Sequence, residues 1–464
     1  MHYALKIVVA LLMTGGIFGF IQKPVHAATC SITSTSTIDQ TYVDGNSCDA
    51  ILLMGGSGMT VTWDGPIDLQ GSGMVYIGSG TTTFSGALAL GSTDDVTVTS
   101  TGVITHATGS VTGVTISARN VTIDAGGRID ANGSGCQGGY GVTNEGGFGP
   151  NLSTGICELG AAGAGVFQLG GAGYGGTGGT GYYSNKGGIR YGTSTAPTYL
   201  GSGGSAELGT QRGGAGGGYV RLTVVGTLTN DGSISANGLE GVENGGGGSG
   251  GSIYIRSGTL TGSGAITSNG GNGVNGAGAG GGGRIAIYYT SNSFSTSALA
   301  VSRGIPGPSA SSNVDHKDGS IFLLDRYTDD GAGAVSVYTG IDFTSDFDFS
   351  RDSFTFATGT NMVCRTGLTT MPFRSSSFID RGTAWTCDTG TVSSISVSST
   401  TVSVQGATWN FSSASSVQIV ADTYATTTNT VFTFTSATSV SLIATSWYSG
   451  TASSTWNAPA VGSN

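Results

Sequence analysis

The feature that most restricts this chain is an apolar pair that recurs at a nearly constant interval inside sequence dominated by glycine. Val220 and Leu222 in GGYVRLTVVGTLTNDGSISANG (217–238) correspond to Ile253 and Ile255 in GGSIYIRSGTLTGSGAITSNG (250–270), 33 residues on. Ile285 and Ile287 in GRIAIYY follow after another 32. Leu228 and Ile234 likewise correspond to Leu260 and Ile266, and Ile129-Asp130-Ala131-Asn132-Gly133 is an earlier echo of Ile234-Ser235-Ala236-Asn237-Gly238. One such unit buries too little on its own. Units stacked in register would set Val220, Ile253 and Ile285 above one another and satisfy the backbone between neighbours.

The expected fold is therefore all-β, a parallel β-solenoid (β-helix) with glycine-rich loops. Glycine loses more backbone freedom on folding than any other residue, so its abundance needs a reason. The reason expected here is twofold: corners with φ > 0, and loops from adjacent coils lying flat about 4.8 Å apart. A flexible linker is the rival reading, but a linker requires neither interleaved apolar strands nor a fixed period.

Glycine also divides the chain. It supplies nineteen of the fifty residues from 241 to 290 but two of the sixty from 391 to 450. After residues 1–27, the expected zones are N-terminal β-solenoid coils over 28–130, a glycine-rich repeat over 131–290 and a Ser/Thr-rich β domain over 291–464. The first and last zones alternate β-branched or aromatic residues with Ser and Thr, as in MTVTW (59–63), DVTVTS (95–100), NVTID (120–124), SISVSS (394–399) and TVFTFTS (430–436). That is the pattern of half-buried strands. It leaves open whether the last zone continues the coils or forms a smaller β-sandwich.

Residues 171–289 resemble a glycine-rich repeat family of large exported bacterial proteins and plant extracellular proteins. The resemblance rests on YGTSTAPTYLGSGG (191–204), GGAGGGYVRLTV (213–224), GSISANG (232–238), the run 245–273 and GAGAGGGGRIAIYY (276–289), about a quarter of the chain. It implies a parallel β-solenoid and export, and brings no catalytic residues with it.

Lys6 precedes an apolar run from Ile7 to Phe20, and Val25-His26-Ala27 offers small residues for cleavage. This predicts a secretory signal peptide over 1–27, cut near Ala27, and a secreted or cell-surface location. A membrane anchor fits less well, because the run is short and Thr14, Gly15 and Gly16 interrupt it. No later segment is apolar enough to span a bilayer. The remaining chain would hold 15 bases against 27 acids, a net charge of −12, which argues against nucleic acid as a partner.

Six cysteines fall into local couples: Cys30 with Cys48, Cys136 with Cys157, and Cys364 with Cys387. In an exported chain they read as three disulfides; no C-x-x-C supports metal binding instead.

Chemistry is sparse. Only His106 and His316 would remain as bases after processing, and both read as surface residues. The segment DFTSDFDFSRDSF (342–354) carries Asp342, Asp346, Asp348 and Asp352. On a strand these carboxylates would share one face, giving a weak Ca²⁺ candidate (Asp342, Asp346, Asp348) or an acid/base pair for glycan cleavage. A solvated face beside Arg351 is the preferred reading. Asp329-Asp330 reads as a turn. Arg221, Arg256 and Arg284 recur near strand ends and could form a cation ladder for an anionic glycan, or merely protect an edge. Trp385, Trp409, Trp447 and Trp456 would stack on sugars if exposed and fill a core if buried.

The expected function is a non-enzymatic scaffold or adhesin of the surface or matrix, with no cofactor. Its expected partners are cell-surface or extracellular polysaccharide or other surface proteins. The alternative is a β-helical polysaccharide lyase or hydrolase. A thinner reading is ice binding, disfavoured because Thr60/Thr62, Thr97/Thr99 and Thr433/Thr435 do not recur at one spacing.

Overall fold

The computed structural model describes residues 28–326, less 56–57, 70, 141–145, 166–168, 183–186, 208–211 and 312–316. Beyond 326 it describes the strands between 334 and 457 and a few residues beside them. Among the described residues the chain is nearly all β, with a large and mostly parallel sheet. One short α-helix, Gln40–Asn46, is capped by Asp39, whose carboxylate accepts the Tyr42 N–H at 2.7 Å.

Three parallel ladders run through residues 28–324. The first joins Cys48–Met54, the start of Met74–Ser85, Asp95–Val98, Asn120–Ile123 and the latter half of Tyr219–Asn230. The second joins Ala87–Leu90, Val114–Ala118 and the first halves of Tyr219–Asn230 and Ser252–Thr261, then Arg284–Asn292 and Ser320–Leu324. The third joins Met59–Trp63, the end of Met74–Ser85, Gly102–His106, Arg128–Asp130, Ser233–Ser235, Ala265–Thr267 and Leu299–Ala300.

The apolar repeat pairs as its spacing predicts. Val220 opposes Ile253, Ile253 opposes Ile285, and Ile285 opposes Ile321, all buried. Ile129 opposes Ile234, so the echo noted in the sequence is a true neighbour. Each such side chain taken out of water contributes about 1.5–3 kcal/mol. Val121 opposes Leu228, 107 residues downstream, so residues 131–218 form one long excursion between adjacent strands of the ladders.

The shorter excursions 236–251, 268–283 and 301–319 leave from the same corner, between the third ladder and the second. There the glycine segments hydrogen-bond to one another. Gly246, Gly247 and Gly248 donate to Ser205, Gly278 and Leu239; Ser249, Gly250 and Gly251 donate to Ser202, Gly281 and Ala236. Every third residue thus returns to the same neighbour. That is the pattern of extended helices with three residues per turn, packed side by side and bonded to neighbours in several directions.

This alters the expected role of glycine. Positive φ does occur at corners of the first zone, as at Gly80 and Gly86, but none of the glycines from 245 to 251 has it. Those glycines are required by close approach: a Cβ on Gly248 would collide with the Ala215 carbonyl, and one on Gly203 with that of Gln137. Side-chain amides support the exit corner. Asn132 Oδ1 accepts the Asn237 N–H at 2.6 Å, and Asn237 Oδ1 accepts that of Asn269 at 2.7 Å.

Strand Ser320–Leu324 is buried on both faces. Ile321 and Leu323 join the core between the three ladders, whereas Phe322 and Leu324 join a second core with Val335, Phe354, Phe378 and Trp409. Ala334–Val337 pairs antiparallel with this strand, after which the last zone pairs in parallel. A second parallel sheet sets Met362, Trp385, Trp409, Phe432 and Trp456 at successive ladder positions. The chain between them repeats at 23 or 24 residues, a period the sequence reading did not find.

Candidate functional site

The described ladders align hydroxyl side chains from strand to strand. On the first ladder Thr97 pairs with Thr122, Thr122 with Thr229, and Thr229 with Thr261. Two residues earlier, Thr227 pairs with Thr259 and Thr259 with Ser291. On the third ladder Thr60, Thr83 and Thr105 form one column, and Thr37, Thr62 and Ser85 another. Most of these side chains are half-exposed. Their hydroxyls stand about 4.8 Å apart between strands and about 6.6 Å apart along them. β-Branching holds each Thr to few rotamers, so the columns are stiff.

Beside these lies a cluster of arginine and tyrosine. Arg221 opposes Tyr254, and Arg256 opposes Thr223 and Tyr288. The Arg221 guanidinium lies 5.8 Å from the Tyr254 ring centroid, and that of Arg256 lies 5.3 Å from both Tyr254 and Tyr288. Arg256 Nε donates to the Tyr254 hydroxyl at 2.7 Å. Burial pushes the Tyr219 phenol up to about 12, against a smaller opposing pull from Arg221.

The three arginines do not form a ladder of three cations, the less favoured of the two readings of their spacing. Arg284 opposes Ser252 and is fully buried, with its guanidinium on the Tyr191 carbonyl and 5.3 Å from the Tyr174 ring. A buried cation ringed by a carbonyl, a hydroxyl and an aromatic face serves the interior and is not offered to a ligand.

His106 is also not at the surface. Its ring is buried; Nε2 accepts the Tyr219 N–H at 3.1 Å and Nδ1 lies 2.9 Å from the Ala107 carbonyl. Burial holds its pKa below the ordinary value. Nε2 meets the backbone where the chain rejoins the second ladder after residue 218, and Nδ1 meets that of the next residue in sequence.

Trp409 is buried, with Nε1 donating to Asp380 at 2.8 Å, so it fills a core. The side chains of Trp385, Trp447 and Trp456 lie outside the described residues, as do that of Asp342 and all of Asp346, Asp348, Asp352, Asp329, Asp330 and His316. Among the described residues no three His, Cys, Asp or Glu side chains gather as a metal site would require.

Cys30 is bonded to Cys48 and Cys136 to Cys157, with Cα separations of 5.6 and 5.4 Å. The side chains of Cys364 and Cys387 lie outside the described residues; their strands, Asn361–Cys364 and Ala384–Cys387, are parallel neighbours. Among the described residues no helix is long and apolar enough to cross a membrane.

Sequence reading missed the Thr columns and the grouping about Tyr254. The column from Thr97 to Thr261 belongs to strands separated by unequal intervals, which only the ladder register aligns; Arg221 and Arg256 were noticed at the regular repeat, but their convergence on Tyr254 shows only in space. Comparisons of the chain with protein-family models, curated proteins and solved structures found no match.

Proposed function

We propose that this chain is an exported, non-enzymatic β-solenoid protein of the cell surface or extracellular matrix, with a scaffolding or adhesive role. The observation that carries the reading is the set of half-exposed Ser and Thr columns aligned on long parallel ladders. A surface of this kind meets partners over a broad area. The parallel pairing of the last zone supports stacked coils from end to end, and the two disulfides suit an oxidising compartment.

The test has two arms. Expression with the native N-terminus should yield an exported chain beginning near Ala28, and small-angle scattering should give an elongated particle. Incubation with neutral and acidic glycans should give retention without new reducing ends or unsaturated products. Product release would replace this reading with the lyase or hydrolase alternative.

One observation favours a second reading, ice binding. The column Thr97–Thr122–Thr229–Thr261 is regular in the structure although its members are unevenly spaced in sequence. Ice crystals grown in the protein's presence would change shape under this reading, and unchanged crystals would remove it.

A further inference from the structure

We propose that Arg221 and Arg256 form a binding site for the carboxylate groups of an acidic, uronate-type polysaccharide on the outer face of the second ladder. The two guanidiniums belong to adjacent strands and converge on one ring, that of Tyr254. Among the described residues no carboxylate lies within ion-pair distance of either. The ladder neighbours carry no negative charge: Thr115 and Tyr254 flank Arg221, and Thr223 and Tyr288 flank Arg256. Two like charges held close on an otherwise acidic chain gain from an anion between them.

Both side chains are positioned in advance. Arg256 is tied through Nε to the Tyr254 hydroxyl, which leaves its terminal nitrogens to donate. Arg221 is exposed, with its guanidinium 5.8 Å from the Tyr254 ring centroid. A planar guanidinium matches a planar carboxylate with two parallel hydrogen bonds, and stacking on tyrosine reduces the freedom lost on binding. The flanking hydroxyls of Ser117 and Thr223 are placed to meet sugar hydroxyls beside the carboxylate. The tyrosines beneath are buried, whereas Arg221 is exposed and Arg256 half-buried, so the two guanidiniums stand at the margin of the covered part of this face, where a polymer can pass.

The site rests on the reading of a surface protein that meets polysaccharide outside the cell. The purified full chain would be titrated calorimetrically with polygalacturonate, dextran sulfate and uncharged dextran. Polygalacturonate should bind, more weakly as salt rises, and dextran should not. Arg221→Gln and Arg256→Gln should each weaken binding at least about tenfold, and Arg256→Lys should also weaken it, since an ammonium lacks the planar fork. Arg374→Gln, on an exposed position of the last zone, should bind as the parent does. Unchanged thermal unfolding of each variant would show that the fold is intact. Absence of polygalacturonate binding, equal loss in Arg374→Gln, or binding of dextran sulfate alone would each overturn the site. Such a failure would leave the scaffold reading standing, because export and particle shape are measured separately.

Discussion

Arg284 and Tyr191 lie 93 residues apart in sequence, yet Nε and Nη2 of the arginine both donate to the tyrosine carbonyl, at 3.2 and 2.9 Å. Through this contact a strand of the second ladder holds the long excursion against the glycine helices. Nη1 extends the contact to the Ser320 hydroxyl at 3.1 Å, one strand further along.

Removing that cation should cost more than removing an exposed one. Arg284→Met is expected to lose about 3 kcal/mol, because a buried carbonyl and hydroxyl lose a charged donor. Arg381→Met, at an exposed position, should stay within about 0.5 kcal/mol. Chemical denaturation of both variants measures the difference.

Glycine substitutions should divide by surroundings. Gly248→Ala would set a methyl against the Ala215 backbone and should cost about 3 kcal/mol or more, since backbone on both sides has nowhere to move. Gly45 lies inside the short helix with open space around it, and Gly45→Ala should stabilise by about 0.5–1 kcal/mol. Thermal unfolding would show opposite shifts.

Stability should fall in mild acid through His106. Its folded-state pKa lies below the ordinary 6.5 because burial penalises the cation. As pH drops through 6.5 the unfolded chain takes the proton first, so the contribution is complete above that value and declines below it. A protonated ring also loses its acceptor for the Tyr219 N–H. The His106→Gln variant should be less stable at neutral pH and show a flatter pH profile between 7 and the parent's folded-state pKa. An unchanged slope would remove His106 as the cause.

A third disulfide should join Cys364 to Cys387. Val363 opposes Thr386 in the parallel pair, so the next position on each strand is a cysteine. Peptide mapping without reductant should recover the two linked, alongside Cys30–Cys48 and Cys136–Cys157. Losing the Cys30–Cys48 bond, which closes an 18-residue separation, should cost about 3 kcal/mol in the chain-entropy account.

The sequence made some of this legible and concealed the rest for physical reasons. Val220, Ile253 and Ile285 were readable as a stack because their spacing is regular and their burial complete. Ile129 and Ile234 were readable by likeness alone, since residues 131–218 stand between them. The glycine helices were not readable: with no side chains they have no amphipathic period, and their bonding shows only in space. The Thr column from Thr97 to Thr261 was hidden by unequal strand intervals. Arg284 looked like Arg221 and Arg256 by position and lies on the same face of the ladder, in the row of Ser252 rather than that of Tyr254, but there the long excursion covers it through Tyr174 and Tyr191, a contact that strand spacing does not reveal.

The shared exit corner of the excursions has a consequence for how such a chain can diversify. One excursion reaches 88 residues while others take 16, and the strands on either side keep their partners regardless. New length inserted there finds a ready lattice of amide and carbonyl groups to dock on. A loop could be lengthened or shortened at that site while the supporting framework stays the same.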